Sequence, residues 1–329
     1  MGPGARRGRV VALVRMWPSP QGGRRYPPEV ADTRPLISTA QGTNRQAFGP
    51  TEWGLLAFIA GVWGSSFLLI AIGLDAFAPG VVTFGRILFG MLGLAVVPAA
   101  RAPIDREDWP TVALIGFTWM ALPLSLFPIA ELYVDSSVAG MINGSVPLFA
   151  ALIAAFLLRT RPGRIHAMGL VIGFVGVVAI SLPSLHGADA SPLGVGLLLV
   201  AVVLYGLSAN LAVPLQQKYG GLPVMWRVQL CALAMTAPYG LASIPASHFA
   251  WDSFAAVVVL GFLGTGWAFV AMTNLMGRAG AARGSVAIYL TPVVAILLGV
   301  VFRDETVAVL ALGGMVLVLV GAWLTSRPE

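Results

Sequence analysis

The chain has little charge. Of its 329 residues only 10% are Asp, Glu, Lys or Arg, while 57% are hydrophobic. A soluble domain carries about 25% charged residues, so a soluble protein of this length could not cover its surface. The mean hydropathy of +0.85 agrees: hydrocarbon must be the solvent for most of the chain. It has one cysteine, Cys231, which excludes an intrachain disulfide and a disulfide-stapled secreted domain. Its three histidines, His166, His186 and His248, stand apart near the ends of apolar runs. There is no HExxH, no pair of carboxylates inside an apolar run and no Cys–His set, so ligands for a metal and groups for hydrolysis are missing. The stretches "GFVGVVA" and "GFLGTG" lack the lysine of a phosphate-binding loop, which argues against an ATP-driven pump. No catalytic residue, metal or cofactor is expected, and the chain is not read as an enzyme.

The pI is near 10.1. The basic residues fall in short loops between apolar spans, the pattern of an inner-membrane protein rather than of a nucleic-acid binder. Residues 1–50 are a different material, with eight arginines, several Pro and Gly and no sustained period. They predict a disordered, basic cytoplasmic tail. Two readings stay open for it: a genuine tail, or a stretch upstream of the true start. A signal peptide does not fit, because its apolar piece "VVALV" ends at Arg15, and an h-region needs about 7 to 15 apolar residues.

From Trp53 onward the charges cluster between uncharged runs. A spanning helix needs about 20 apolar residues, and ten candidates are found: 53–74, 77–99, 109–130, 136–158, 165–185, 192–213, 222–246, 252–277, 284–302 and 307–325. An all-α integral membrane protein follows. With the N-terminus inside, the inside carries Arg34, Arg45, Arg101, Arg106, Arg159, Arg161, Arg164, Lys218, Arg278, Arg283 and Arg327, eleven basic residues, against Arg303 alone outside. Both termini are therefore expected in the cytoplasm.

The chain repeats itself. "PLFAALIAAFLLRT" at 147–160 corresponds to "PVVAILLGVVFRDE" at 292–305, in the fourth and ninth spans. An offset of five spans is odd, so the second copy enters the membrane upside down. Inverted repeats are an architecture of secondary transporters. The expected halves are 53–185 and 192–325.

Two spans carry a charge. Arg86 interrupts "VVTFGRILFGMLGLAVVP" (81–98), and Arg227 lies in "GLPVMWRVQL" (221–230). Arg86 sits about 13 Å deep at 1.5 Å per residue. A central arginine costs roughly 3 kcal/mol, so it should face a wet cavity or a partner such as Glu131 or Asp135. A guanidinium at that depth suits a carboxylate or phosphate. Arg227 is shallower and next to Trp226, so snorkelling to the headgroups is expected. Trp63, Ser66, Asn143, Asn210 and Tyr289 are further candidates for a substrate path. The polar amides have a second reading, as links between helices. Pro147 and Pro292 are helix-break candidates: a plain kink, or a freed carbonyl lining a cavity. No Asp or Glu lies deep in a span; Glu131, Asp135 and Glu305, near span ends, are the candidates for gating or coupling. The glycine pairs in "GMING" (140–144) and "GLVIG" (169–173) predict close helix crossings within one chain, and a monomer or weak homodimer.

"WGSSF" (63–67), Arg86, the Pro147 block and "YLTPVVAILLGVVFRDE" (289–305) together resemble the drug/metabolite transporter superfamily, EamA type. The resemblance spans all ten candidates and implies two five-helix repeats, in a carrier of small organic metabolites, often an exporter of amino acids. It does not name a substrate. Two features depart from the pattern. Thr160 stands where members often have a glutamate closing the fourth span, and "YGLSA" (205–209) stands where the first repeat reads "WGSSF". A lipid-linked carrier or flippase on the same scaffold is the alternative, and an integral membrane enzyme a weaker one.

Overall fold

In this computed structural model the residues described are 39–40, 49–159, 163–186, 191–280, 288 and 290–325. The expected tail, Thr160 and Tyr289 lie outside them, apart from four residues of 1–50. The described regular elements are helical and group into ten rods. The first five are α1 (Pro50–Leu74), α2 (Pro79–Ala95), α3 (Trp109–Ile115, Gly116–Ala121 and Leu122–Ala130 in one run), α4 (Ser136–Asn143, then Val146–Leu157) and α5 (Arg164–His186). The rest are α6 (Pro192–Tyr219), α7 (Gly221–Ala242), α8 (Trp251–Val259, Leu260–Trp267 and Ala268–Ala279 in one run), α9 (Thr291–Arg303) and α10 (Val309–Thr325). Five of them, α1, α3, α4, α6 and α8, are long and apolar enough to cross a membrane by length and composition. This is an all-helical membrane protein.

Local chemistry sets the boundaries. Pro50, Pro79 and Pro192 open their helices, where the missing N–H costs no hydrogen bond. The hydroxyl of Ser191 accepts from Leu193 N at 3.2 Å and caps α6. α2 stops at Ala95, short of the expected 99, because Val97 precedes Pro98 and is held extended at φ −93°, ψ 113°. α6 runs to Tyr219, past the expected 213, carrying Pro214 inside it and continuing through Leu215, Gln216, Gln217 and Lys218, which favour a helix; Gly220 ends it at φ 81°.

The packing joins the first five helices to the last five in swapped pairs. α2 packs on α8, and α7 on α3; α1 packs on α9, and α6 on α4. α2 also packs on α7, and α5 chiefly on α10. At the α5–α10 crossing the backbones touch: a Cβ on Gly176 would lie 2.6 Å from Gly314 O, and one on Gly314 2.7 Å from Gly176 O. The glycines of "GLVIG" serve this internal packing, since Gly321 comes equally close to Gly169 and Gly173.

The loops gather at two ends. At one, here termed the lock end, the Glu305 carboxylate accepts from Ser136 N (3.0 Å), Ser136 Oγ (2.6 Å) and Ser137 N (2.9 Å), at the first turn of α4. Arg303 grips Asp75 there through two bonds of 2.7 and 2.9 Å. At the opposite end Lys218 bridges Asp105 and Asp108, each at 2.7 Å, and Arg278 pairs with buried Glu52. Hydrogen bonding from Lys218 holds the Asp105 carboxyl below the usual carboxylate range.

Candidate functional site

A cavity enclosing about 510 Å³ of space, counted to its open mouth, lies between α1, α2, α3, α4, α6 and α8. Trp63 and Ser66 of α1 line it with Arg86 of α2, Asn143 of α4 and Tyr205 of α6. Met276 and Ile288 continue the lining toward the opposite end.

Arg86 is held by an irregularity in its neighbour. The segment Leu260–Trp267 of α8 is a π-helix, with one residue more per turn than its flanks. Thr265 Oγ1 reaches back five residues to Leu260 O at 3.3 Å and accepts from Arg86 Nε at 3.0 Å. Gln229 of α7 ties the same turn by donating to Thr265 O at 2.8 Å. The backbones are close enough that a Cβ on Gly90 would lie 3.0 Å from both Gly261 O and Gly266 N. Arg86 is 3% exposed. Glu131, one of the expected partners, makes no hydrogen bond to it; Thr265 does, and the guanidinium forms part of the cavity wall.

Aromatic rings make most of the remaining wall. Trp63 Nε1 donates to Gly264 O at 2.9 Å, and its ring meets Phe269 edge-on with centroids 4.9 Å apart. Trp119 also meets Phe269 edge-on, at 5.4 Å. Phe127 stacks on Tyr205 at 5.7 Å. Ser66 donates to Val62 O at 2.9 Å, which leaves its oxygen as an acceptor. Asn143 closes the first half of α4 and makes no side-chain hydrogen bond among the described residues. α4 breaks at Gly144 and Ser145, and Pro147 stands in the first turn of its second half. Pro292 stands likewise at the start of α9, and a Cβ on Gly144 would lie 2.6 Å from its ring. The two prolines thus mark interruptions that pack against each other rather than simple kinks.

Two expectations are corrected. Asn210 does not line the cavity: its amide is fully buried and donates to Ala150 O (3.0 Å) and Gly206 O (2.9 Å), tying α6 to α4. Arg227 does not snorkel: it is 8% exposed and donates to the carbonyls of Ala100 (3.1 Å), Pro223 (3.3 Å) and Arg101 (3.3 Å). It braces the α2–α3 connection at the opposite end. Glu305 lies in the lock, Asp135 is the N-cap of α4, and Glu131 follows the last residue of α3. Tyr289 lies outside the described residues. The sequence reading missed Thr265, Gln229, Trp119, Phe127 and Phe269; for Thr265 a signal existed in the glycines around it in "GFLGTG".

Known proteins share this scaffold. An uncharacterized transporter from Archaeoglobus fulgidus is 25% identical over 84% of this chain and 99% of its own length. A probable terminal-alkyne amino-acid exporter from Streptantibioticus cattleyicolor is 28% identical over 84% of this chain and 93% of its own. One solved structure, 20% identical, superposes with a TM-score of 0.60 and covers 84% of this chain and 96% of its own, a likeness of fold alone. The profile of the EamA-like transporter family matches twice, over residues 51–182 and 192–327. The chain belongs to the EamA-like transporter family, and it is a membrane transporter.

Proposed function

We propose that the protein is a secondary exporter of a small carboxylate-bearing metabolite such as an amino acid, working by alternating access between two inverted five-helix repeats, 53–185 and 192–325. The observation that carries this is Arg86, a buried cation fixed in a cavity wall among aromatic rings. Its guanidinium matches a carboxylate, and the rings match an apolar side chain. The exporter direction follows the printed name of the Streptantibioticus relative. The inverted relation is supported by the swapped helix pairs, by the π segments in α3 and α8, and by the interruptions at Pro147 and Pro292. A panel of amino acids and organic acids, each with its amide, tests the substrate class by thermal stabilisation of the purified protein. The acids should raise the melting temperature and the matching amides should not; equal effects from both would remove the role given to Arg86.

The lock end is read as external, in the inner membrane, with both termini cytoplasmic. The motivation is the eleven-to-one excess of loop Lys and Arg toward the opposite end. Reporter fusions at the C-terminus and in the 186–190 loop should report cytoplasm and periplasm respectively. Periplasmic activity at the C-terminus would overturn the orientation.

A further inference from the structure

Glu131 is a buried carboxylate that receives no hydrogen bond among the described residues. It is the first residue after α3, its N–H bonded to Phe127 O at 2.9 Å. Both carboxylate oxygens are buried, and neither has a hydrogen-bond partner among the described residues. Its neighbours at the same end are served differently: Asp75 holds Arg303, and Glu305 receives three donors. Among the described residues the charged groups that act on Glu131 are Arg86 of α2, Arg303 at the end of α9 and Glu305 just beyond it. The Tyr205 phenol of α6 faces Arg86, and Asp135 lies four residues on at the N-cap of α4. Glu131 thus stands between the cavity and the lock, on the turn that runs directly into the clamped Ser136 and Ser137. The residue that follows α8, its counterpart in the second half, is Gly280.

We propose that Glu131 is the proton-binding site of this carrier, a neutral carboxylic acid while the lock end is closed and a carboxylate once that end opens to water. This rests on the reading of the chain as an alternating-access carrier. An ionised carboxylate buried without a donor costs several kcal/mol. The attraction of Arg86 offsets part of that cost, and the repulsion of Glu305 adds to it. Protonation removes the charge. Opening the lock parts the Ser136–Ser137 turn from Glu305 and lets water reach the carboxyl, so the acid dissociates to carboxylate and a proton enters the water. Closing reverses the step. A substrate carboxylate seated on Arg86 cancels the nearest positive charge and favours the protonated acid, so substrate and proton bind cooperatively. Because the second half has glycine at the equivalent place, the proton site serves one end only.

The test is infrared difference spectroscopy on purified protein at neutral pH. Wild type minus Glu131→Gln should show the carbonyl absorption of one protonated carboxylic acid. In a Glu305→Ala background, with the lock released, that absorption should give way to a carboxylate band. Melting gives a second readout that needs no opened lock. Gln mimics the neutral acid, so Glu131→Gln should melt with wild type below about pH 4 and increasingly above it as pH rises toward neutral. The sign follows because a glutamate in the unfolded chain ionises in its ordinary range while the buried one stays protonated, so only wild type loses stability as pH rises. An absent acid band, an acid band unchanged by releasing the lock, or parallel melting curves at every pH overturns the assignment. If carboxylates in the panel do not bind while the acid band persists, the substrate reading fails and the proton site stands.

Discussion

Arg86→Ala is expected to remove most transport while leaving a folded protein. Among the described residues the side chain makes one hydrogen bond, from Nε to Thr265. Thr265 keeps its own bond to Leu260 O when Arg86 is gone, so the π turn survives. What is lost is a charge-assisted, bidentate contact to the substrate, worth about 1.5–3 kcal/mol, or about 10- to 150-fold in affinity. Arg86→Lys should restore part of it, because an ammonium cannot present the planar fork. Thr265→Val removes the anchor but not the charge, and its loss should be smaller than that of Arg86→Ala. Uptake into proteoliposomes and melting of the same preparations decide the matter. Wild-type transport by Arg86→Ala would refute the assignment, and so would unfolding, which would make Arg86 a structural strut.

The second large effect is expected at Glu305. Three donors converge on its carboxylate, two of them backbone N–H groups of the first turn of α4, where the helix dipole adds to the attraction. One charge-assisted hydrogen bond is worth about 1.5–3 kcal/mol, so Glu305→Ala should shift the closed–open balance of the lock end by at least about 10-fold. Ile70, 1% exposed and part of the cavity wall, is a place to read it. In a background with Cys231 replaced by Ala, Ile70→Cys should react slowly with an impermeant thiol reagent from the lock side, and at least about 10-fold faster once Glu305→Ala is added. Gly299→Ala should give the same phenotype without removing the carboxylate, since its Cβ would lie 2.2 Å from Glu305 Oε2 and displace it. Equal labelling rates in all three proteins would show that Glu305 is not a lock. The Arg303–Asp75 pair is exposed on both sides, and its removal should matter much less.

The helical architecture was legible because hydrocarbon demands long uncharged runs, and α3, read as 109–130, was placed within its observed limits. The boundaries that moved are those set by backbone chemistry rather than by polarity. Pro98 cut α2 short, and α6 outran its own apolar stretch. Arg86 was legible because a lone charge in such a run is costly, and Trp63, Ser66 and Asn143 meet it at one cavity. Its anchor was fainter, because a π turn leaves no polar trace: Thr265 is marked only by the glycines around it in "GFLGTG". Trp119, Phe127 and Phe269 were hidden for a related reason, since an aromatic ring facing a cavity and one facing lipid look alike in a string of letters. Asn210 and Arg227 erred in the other direction. Both satisfy carbonyls of neighbouring segments, which depends on contacts about 60 and 130 residues away in the chain.

The swapped packing also bears on how the chain is made. α2 finds its main neighbours in α7 and α8, α1 in α8 and α9, and α5 in α10. During synthesis the first five helices therefore enter the bilayer before their partners exist. α5 waits longest, its glycine face turned to lipid until α10 is complete. The two halves are copies by sequence but not modules by assembly. Neither buries its own surfaces, and the cavity has no complete wall until α8 has been inserted.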